Sequence, residues 1–177
     1  MNNNFLLEPV GIVSRIAKDI KLLSTVKLME EIPENIDENI IIDNAFFEKT
    51  RGYFKKLVYQ INTSYKNECY DACALLIRKL VELMIEEVYE NAGRVDEITF
   101  KESGQLFGLA MLITTVETDK HWKLNRSVVE GLNIIKEQGD KCAHNRRYNA
   151  RKSDVEKVIP YLRDIFEELL YLAGIIK

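Results

Sequence analysis

The stretch that decides the fold is Glu68-Cys69-Tyr70-Asp71-Ala72-Cys73-Ala74-Leu75-Leu76-Ile77-Arg78-Lys79-Leu80-Val81-Glu82, which continues in the same character to Asn91. Its apolar residues recur at helical spacing over a wide arc, namely Ala72, Cys73, Leu76, Ile77, Leu80, Val81, Met84 and Val88. A helix that is apolar over so much of its circumference must be covered by neighbours on several sides. The stretch therefore predicts a long helix at the centre of a helical bundle.

Helical patterns also flank this stretch on both sides. Before it, helices are predicted at about 9–29 and from a cap at Asp43 or Asn44 to about 66. After it, one helix is predicted to start at a capping box at Thr99–Glu102, and another to run over about 125–138 and end at Gly139. The last is predicted to start at a capping box at Ser153–Glu156. Pro160 should kink or restart the last helix. With only 3 prolines and 8 glycines, the chain favours long helices. We predict an all-α, up-and-down bundle with a four-helix core and an additional N-terminal helix.

The chain is predicted to be a single domain, with an N-terminal helix and acidic connector over residues 1–44 and the bundle over 45–177. The connector, residues 30–48, holds seven acidic residues and no basic one. It is interpreted either as a solvated link or as an arm that docks on the basic residues between Lys141 and Lys152, in its own chain or in a partner chain, where it would compete with RNA.

Composition limits the classes of function. The net charge is −3, so any attraction to nucleic acid must come from a local patch. The three cysteines, Cys69, Cys73 and Cys142, suggest reduced thiols in a cytoplasmic protein. No apolar run is long enough for a membrane span, and no secretion signal is recognisable. A zinc site is disfavoured because the cysteines lack paired spacing, and no glycine-rich phosphate loop occurs, so no cofactor is predicted.

The segment after the predicted fifth helix carries the clearest chemistry. It contains His144, one of only two histidines, within a run from Lys141 to Lys152 that has no acidic residue. The basic members of this run are Lys141, Arg146, Arg147, Arg151 and Lys152. A histidine can exchange a proton near neutral pH, and arginines bind phosphate with two donors. The segment thus points to RNA or a nucleotide, and these five residues are the predicted RNA-binding set.

Each of these residues also has a purely structural interpretation. His144 could be held by Asp140 or by the helix end, could bind without reacting, or could act as a catalytic acid or base. The basic run could be a solvated loop. Arg78 and Glu82, spaced i and i+4, could be a helical ion pair worth a few tenths of a kcal/mol if exposed, or a partly buried pair that orients His144.

Taken together, the segments Cys69–Glu82 and Gly139–Asn145 resemble a bacterial domain family of unknown function in the HEPN superfamily. Members of that family occur alone or fused to restriction-enzyme subunits. The matching positions are Arg78, Glu82, Gly139, Ala143 and His144, and the resemblance covers about residues 45–173.

The resemblance implies a dimeric four-helix bundle of bacterial defence or toxin type and, in many members, a metal-independent endoribonuclease. Its implied partners are RNA, a second copy of the chain, and an antitoxin or a restriction or defence protein. His144 would be the acid or base, Arg78 the phosphate-binding or orienting group, Glu82 its partner, and Asp140 and Asn145 polar helpers. In HEPN nucleases an arginine precedes the histidine, and this chain has none there. A non-catalytic dimerisation or protein-interaction domain is therefore the alternative function.

Overall fold

The computed structural model describes residues 40–177 of the chain. The helix predicted at about 9–29 and most of the acidic connector lie outside the described residues. Six α-helices lie between residues 40 and 177, with no β-strand among them, which confirms the predicted all-α helical bundle. They are α1 Gly52–Lys66, α2 Tyr70–Asn91, α3 Leu109–Glu117, α4 Arg126–His144, α5 Lys152–Glu156 and α6 Ile159–Leu172. None of these six has the length and apolarity needed to cross a membrane.

The predicted central helix is α2. It packs against each of the five other α-helices in residues 40–177, most extensively against α4 and α1. Its buried side chains include Cys73, Ile77, Leu80, Val81, Met84, Ile85 and Val88. Ala72 was predicted to lie on this apolar arc but is exposed. Because other helices cover α2 on several sides, its sequence is apolar over a wide arc.

The start of α1 differs from the prediction. The carboxylate of Asp43 accepts a hydrogen bond from the backbone N–H of Ala45 at 2.8 Å, and it caps only the short 3₁₀ helix Asn44–Phe47. The α-helix itself begins later, at Gly52. The apolar face of α1 is buried through Phe54, Leu57, Val58, Ile61 and Tyr65, and Phe47 of the 3₁₀ helix is buried with it.

The capping box predicted at Thr99–Glu102 is wrong. The Thr99 hydroxyl donates to a backbone carbonyl four residues earlier, and the Thr99 backbone pairs with Leu106 in an isolated antiparallel bridge. Gly104, with φ of 67°, lets the chain reverse between the two, because glycine adopts positive φ at little cost. The chain completes this hairpin before α3 begins at Leu109.

The helix predicted to end at Gly139 continues to His144 as α4. Gly139 is buried where α4 meets α2, and a β-carbon at that position would lie 2.5 Å from Cδ of Arg78. Glycine is therefore needed here for close packing and does not end the helix. As a result His144 lies in the last turn of α4, and the basic run starts on a helix instead of in a loop.

Pro160 interrupts the C-terminal helix as predicted. A short break separates α5 from α6, and Pro160 lies in the first turn of α6, where the missing N–H of proline is tolerated. Apolar side chains of both helices enter the core, together with Val158 between them, namely Val155, Val158, Leu162, Ile165, Phe166, Leu169 and Leu170.

Candidate functional site

His144 is on the surface at the C-terminal end of α4. Its side chain is exposed and makes no hydrogen bond or ion pair with any residue between 40 and 177. It lines a shallow groove of about 530 Å³. The other residues of this groove are Lys136, Glu137, Asp140, Lys141, Asn145 and Arg146. The ring is thus accessible, and neither Asp140 nor the helix end holds it.

Asp140 lies one helical turn before His144 and is held by two cations. Its Oδ1 accepts from Arg78 Nε at 3.0 Å, and its Oδ2 accepts from Lys136 Nζ at 2.7 Å. Burial alone would raise the pKa of the Asp140 carboxyl, but the hydrogen bonds and charges of Lys136 and Arg78 outweigh it, so the pKa lies below its ordinary value. The groove therefore keeps an ionised carboxylate beside His144 at neutral pH.

Arg78 pairs with two carboxylates. Besides Asp140, its guanidinium contacts Glu82, with Nη1 at 3.2 Å from the carboxylate, and only 26% of its side chain is exposed. The stem of Arg78 lies against the backbone of Gly139. The structure thus brings together Arg78, Glu82 and Asp140, which the sequence assigned to one site. Among residues 40–177, no hydrogen bond or ion pair joins Arg78 to His144.

The basic run divides into paired and unpaired side chains. Lys141 lies 2.6 Å from Glu137, and Lys152 lies 3.8 Å from Glu156, so two of the predicted RNA-binding residues already have acidic neighbours on their own helices. Pairs as exposed as these contribute little to stability and can exchange partners readily. Within the basic run, the guanidinium groups of Arg146, Arg147 and Arg151 make no ion pair with any residue between 40 and 177.

Residues 145–151, which join α4 to α5 and are called the basic loop below, follow a defined path. The Asn145 side chain accepts a hydrogen bond from the backbone N–H of Arg147 at 3.1 Å, which makes a tight turn directly after α4. The Tyr148 hydroxyl donates to the buried Gln138 at 3.1 Å. Asn145 therefore shapes the loop that presents the arginines.

The far end of the basic loop is anchored as well. The backbone N–H of Ala150 donates to the Asp71 carboxylate at the start of α2, and that of Arg151 donates to Asp154, both at 3.1 Å. The capping box predicted from Ser153 is wrong in register, because the carboxylate of Asp154 caps α5 at Arg151. Because the loop is anchored at both ends, it loses less conformational entropy when its arginines bind a partner than a free loop would.

Three residues that support this site were not predicted from the sequence, namely Lys136, Asp71 and Tyr148. Lys136 could have been found, because it precedes Asp140 by four residues and Asp140 precedes His144 by four, which places all three on one helix face. Asp71 and Tyr148 carry no such local signal, since their contacts depend on how the helices pack.

The cysteines and acidic groups do not assemble into a metal site. No group of three or more His, Cys, Asp or Glu side chains in residues 40–177 is arranged to hold a metal ion. Cys69, Cys73 and Cys142 are free thiols. Burial raises the pKa of the Cys73 thiol to about 12, and burial together with Asp71 raises that of Cys142 to about 11, so both stay protonated at neutral pH.

Comparison with known proteins leaves the description at the level of fold and site. No protein-family model, no curated protein and no solved structure matches this chain. The fold and the site together define a class of protein. It is an all-α bundle that has an accessible histidine and an anchored arginine loop at one end of its fourth helix.

Proposed function

We propose that the protein is an RNA-directed module of bacterial defence or toxin type, in which the basic loop binds phosphates and His144 transfers a proton during slow, metal-independent cleavage. The observation that carries the proposal is the exposed ring of His144 in a groove that also contains Arg146. The resemblance of the two sequence motifs to HEPN domains supports the same class of function.

The chemistry requires a base, an acid and a cation. The 2′-oxygen of RNA attacks the adjacent phosphorus and the bond from phosphorus to O5′ breaks, which leaves a 2′,3′-cyclic phosphate and a 5′-hydroxyl. Neutral His144 takes the 2′ proton, and water gives a proton to O5′. General base catalysis of this kind is worth roughly 10²–10⁴ in rate. The guanidinium groups of the basic loop offset the charge that develops on the phosphate.

Arg78 has an indirect part in this proposal. Because Glu82 and Asp140 already engage its guanidinium, we assign Arg78 the role of a positioning residue that fixes α4 against α2. A homodimer, which the resemblance implies, would add a second histidine and a second basic loop, and an antitoxin or other defence protein would cover this end of the bundle.

A second candidate is a non-catalytic interaction or dimerisation domain with the same fold. The engagement of Arg78 by two carboxylates favours it, because the arginine of the bundle core is then not available to a substrate phosphate. This candidate predicts RNA binding without cleavage, or no RNA binding at all.

The test is incubation of the full chain with total cellular RNA in the presence of a metal chelator. The wild type should release fragments that end in a 2′,3′-cyclic phosphate, and His144→Ala should reduce the rate by at least about 100-fold. His121→Ala is the matched control, because His121 is the other histidine, is exposed, and among residues 40–177 its ring pairs with Asp119 alone.

Each outcome separates the candidates. Loss of cleavage in His144→Ala but not in His121→Ala supports the proposal. Equal cleavage by the wild type and His144→Ala removes His144 from catalysis. Binding of RNA without any cleavage by the wild type favours the second candidate.

A further inference from the structure

A second groove lies at the opposite end of α4 from the basic loop. It has a volume of about 680 Å³ and lies between the start of α4 and the C-terminal half of α6. We call it the acidic groove, and the residues used in the argument are Trp122, Asp164, Glu167, Glu168 and Tyr171. Because α4 has 19 residues, the two ends are separated by roughly 28 Å along the helix.

The carboxylates of this groove outnumber the cations beside them. Glu168 accepts hydrogen bonds from the backbone and side-chain amides of Asn125 at 2.9 and 2.6 Å, and these neutral donors leave its charge uncompensated. Asp164 is exposed and has no ion pair between residues 40 and 177. Glu167 pairs with Arg163 at 2.8 Å, but both side chains are exposed. Lys123 also lines the groove, so the three carboxylates less the two cations Lys123 and Arg163 leave a net negative charge of one.

Aromatic surface lies among these carboxylates. Tyr171 is 63% exposed, which is unusual for a large side chain that packs beside a core. Trp122 forms part of the groove wall, but the guanidinium of Arg94 already lies over its ring at 4.6 Å, so Tyr171 is the ring that offers the more open face. A guanidinium group binds carboxylates through its edge and stacks on aromatic rings through its face, so carboxylates around aromatic rings suit arginine better than lysine.

The chain itself supplies arginines in a matching arrangement. Arg146, Arg147 and Arg151 carry three positive charges on the basic loop, and no acidic residue lies between 145 and 151. The acidic groove and the basic loop are at opposite ends of the same helix, so one copy cannot fold its own loop into its own groove. The loop of a second copy can reach it.

We infer that the protein associates with itself head to tail, with the basic loop of one copy docked in the acidic groove of the next. The contact joins two different surfaces, so it generates open chains unless the rotation between copies closes a ring. Because its energy comes mainly from exposed charges, the association should weaken steeply as salt rises. It also uses the arginines assigned above to RNA, so RNA and a second copy should compete for the basic loop.

The inference does not require that the protein binds RNA, because it rests on the charges of both surfaces. Sedimentation velocity of the nuclease-treated full chain, over a range of concentrations, provides the test. At low salt the mean mass should rise with concentration beyond that of a dimer, and at high salt it should fall. Two variants isolate the surfaces: Asp164→Asn/Glu167→Gln in the acidic groove and Arg146→Ala/Arg147→Ala in the basic loop. Each should raise the dissociation constant roughly tenfold or more.

Mixing the two variants gives the decisive result. The groove variant keeps its basic loop and the loop variant keeps its groove, so an equimolar mixture should form dimers that cannot extend. A wild type whose mean mass at low salt stays at or below that of a dimer overturns the inference. So does a groove variant that associates as well as the wild type, which would indicate a different interface. The groove variant keeps the basic loop free and should bind RNA at least as tightly as the wild type, so failure here is distinguishable from failure of the proposed function.

Discussion

Arg78 lies directly over the backbone of α4 at Gly139, where a β-carbon would be 2.5 Å from Arg78 Cδ and 2.7 Å from Arg78 Cβ. The close approach to the Arg78 stem cannot be relieved by moving the far end of that side chain alone. This contact lets the guanidinium reach Asp140 at 3.0 Å and so joins α2 to the helix that carries His144.

The first prediction concerns this crossing. Gly139→Ala should lower the free energy of unfolding by about 1–2 kcal/mol, because the overpacking cost exceeds the gain in helix propensity. Gly52→Ala is the matched control, since Gly52 is also helical and a β-carbon there would have no atom within 4 Å. It should leave stability unchanged or raise it by up to about 1 kcal/mol. Urea denaturation measures both, and equal stability of Gly139→Ala and wild type would contradict the described crossing.

The second prediction concerns the ion pair between Arg78 and Asp140. A double-mutant cycle with alanine at both positions should give a coupling free energy of about 1 kcal/mol, because the two side chains are only 26% and 31% exposed. The pair Arg163–Glu167, at 76% and 45% exposed, is the control and should give no more than about 0.5 kcal/mol. Equal coupling free energies in the two cycles would show that the partly buried pair contributes no more to stability than an exposed one.

The pattern of apolar residues made the bundle predictable. The arc on α2 follows helical spacing closely, and burial confirms six of its eight predicted positions, while Ala72 is exposed and Leu76 is partly buried. Capping signals were less informative. At Thr99 the residue types of a capping box are present, yet the hydroxyl bonds back to an earlier carbonyl, because the chain reverses at Gly104 before α3 starts.

The candidate site was predictable only in part. His144 and the basic residues stand out by composition, and Arg78 with Glu82 by spacing. Gly139 was misinterpreted because a glycine after an apolar helix fits a helix end as well as a close crossing, and only the packing of α2 on α4 decides between them. Asp71, which anchors the basic loop at Ala150, is 79 residues away in sequence and leaves no local pattern.

The third prediction concerns acid stability and the buried carboxylate of Asp119. Burial alone would raise its pKa, but hydrogen bonds from Arg94 and from the backbone of His121, with a further one from Tyr89, lower the pKa to about 2. Its pKa is thus lower in the folded than in the unfolded chain. The stabilisation is fully present above about pH 4 and is lost as pH falls towards 2.

This shift in the pKa of Asp119 corresponds to about 2 kcal/mol in the free energy of unfolding at neutral pH, and Asp119→Asn should remove that stabilisation. Urea midpoints measured between neutral pH and pH 2 should therefore fall less steeply for Asp119→Asn than for the wild type. Parallel curves for the two proteins would rule out this carboxylate as a source of acid sensitivity. Glu97→Gln, which removes the exposed partner of Arg94, should change the curve much less.

The central claim is that the basic loop contacts RNA phosphates, and the salt dependence of binding tests it most directly. The affinity for single-stranded RNA should be measured by fluorescence anisotropy over a range of salt for the wild type and for Arg146→Ala/Arg147→Ala. Loss of two phosphate contacts should flatten the slope of log affinity against log salt by about 1.4. The control Lys55→Ala/Lys56→Ala removes the same charge from an exposed face of α1 and should leave the slope unchanged. Equal slopes for the wild type and the loop variant would contradict the claim.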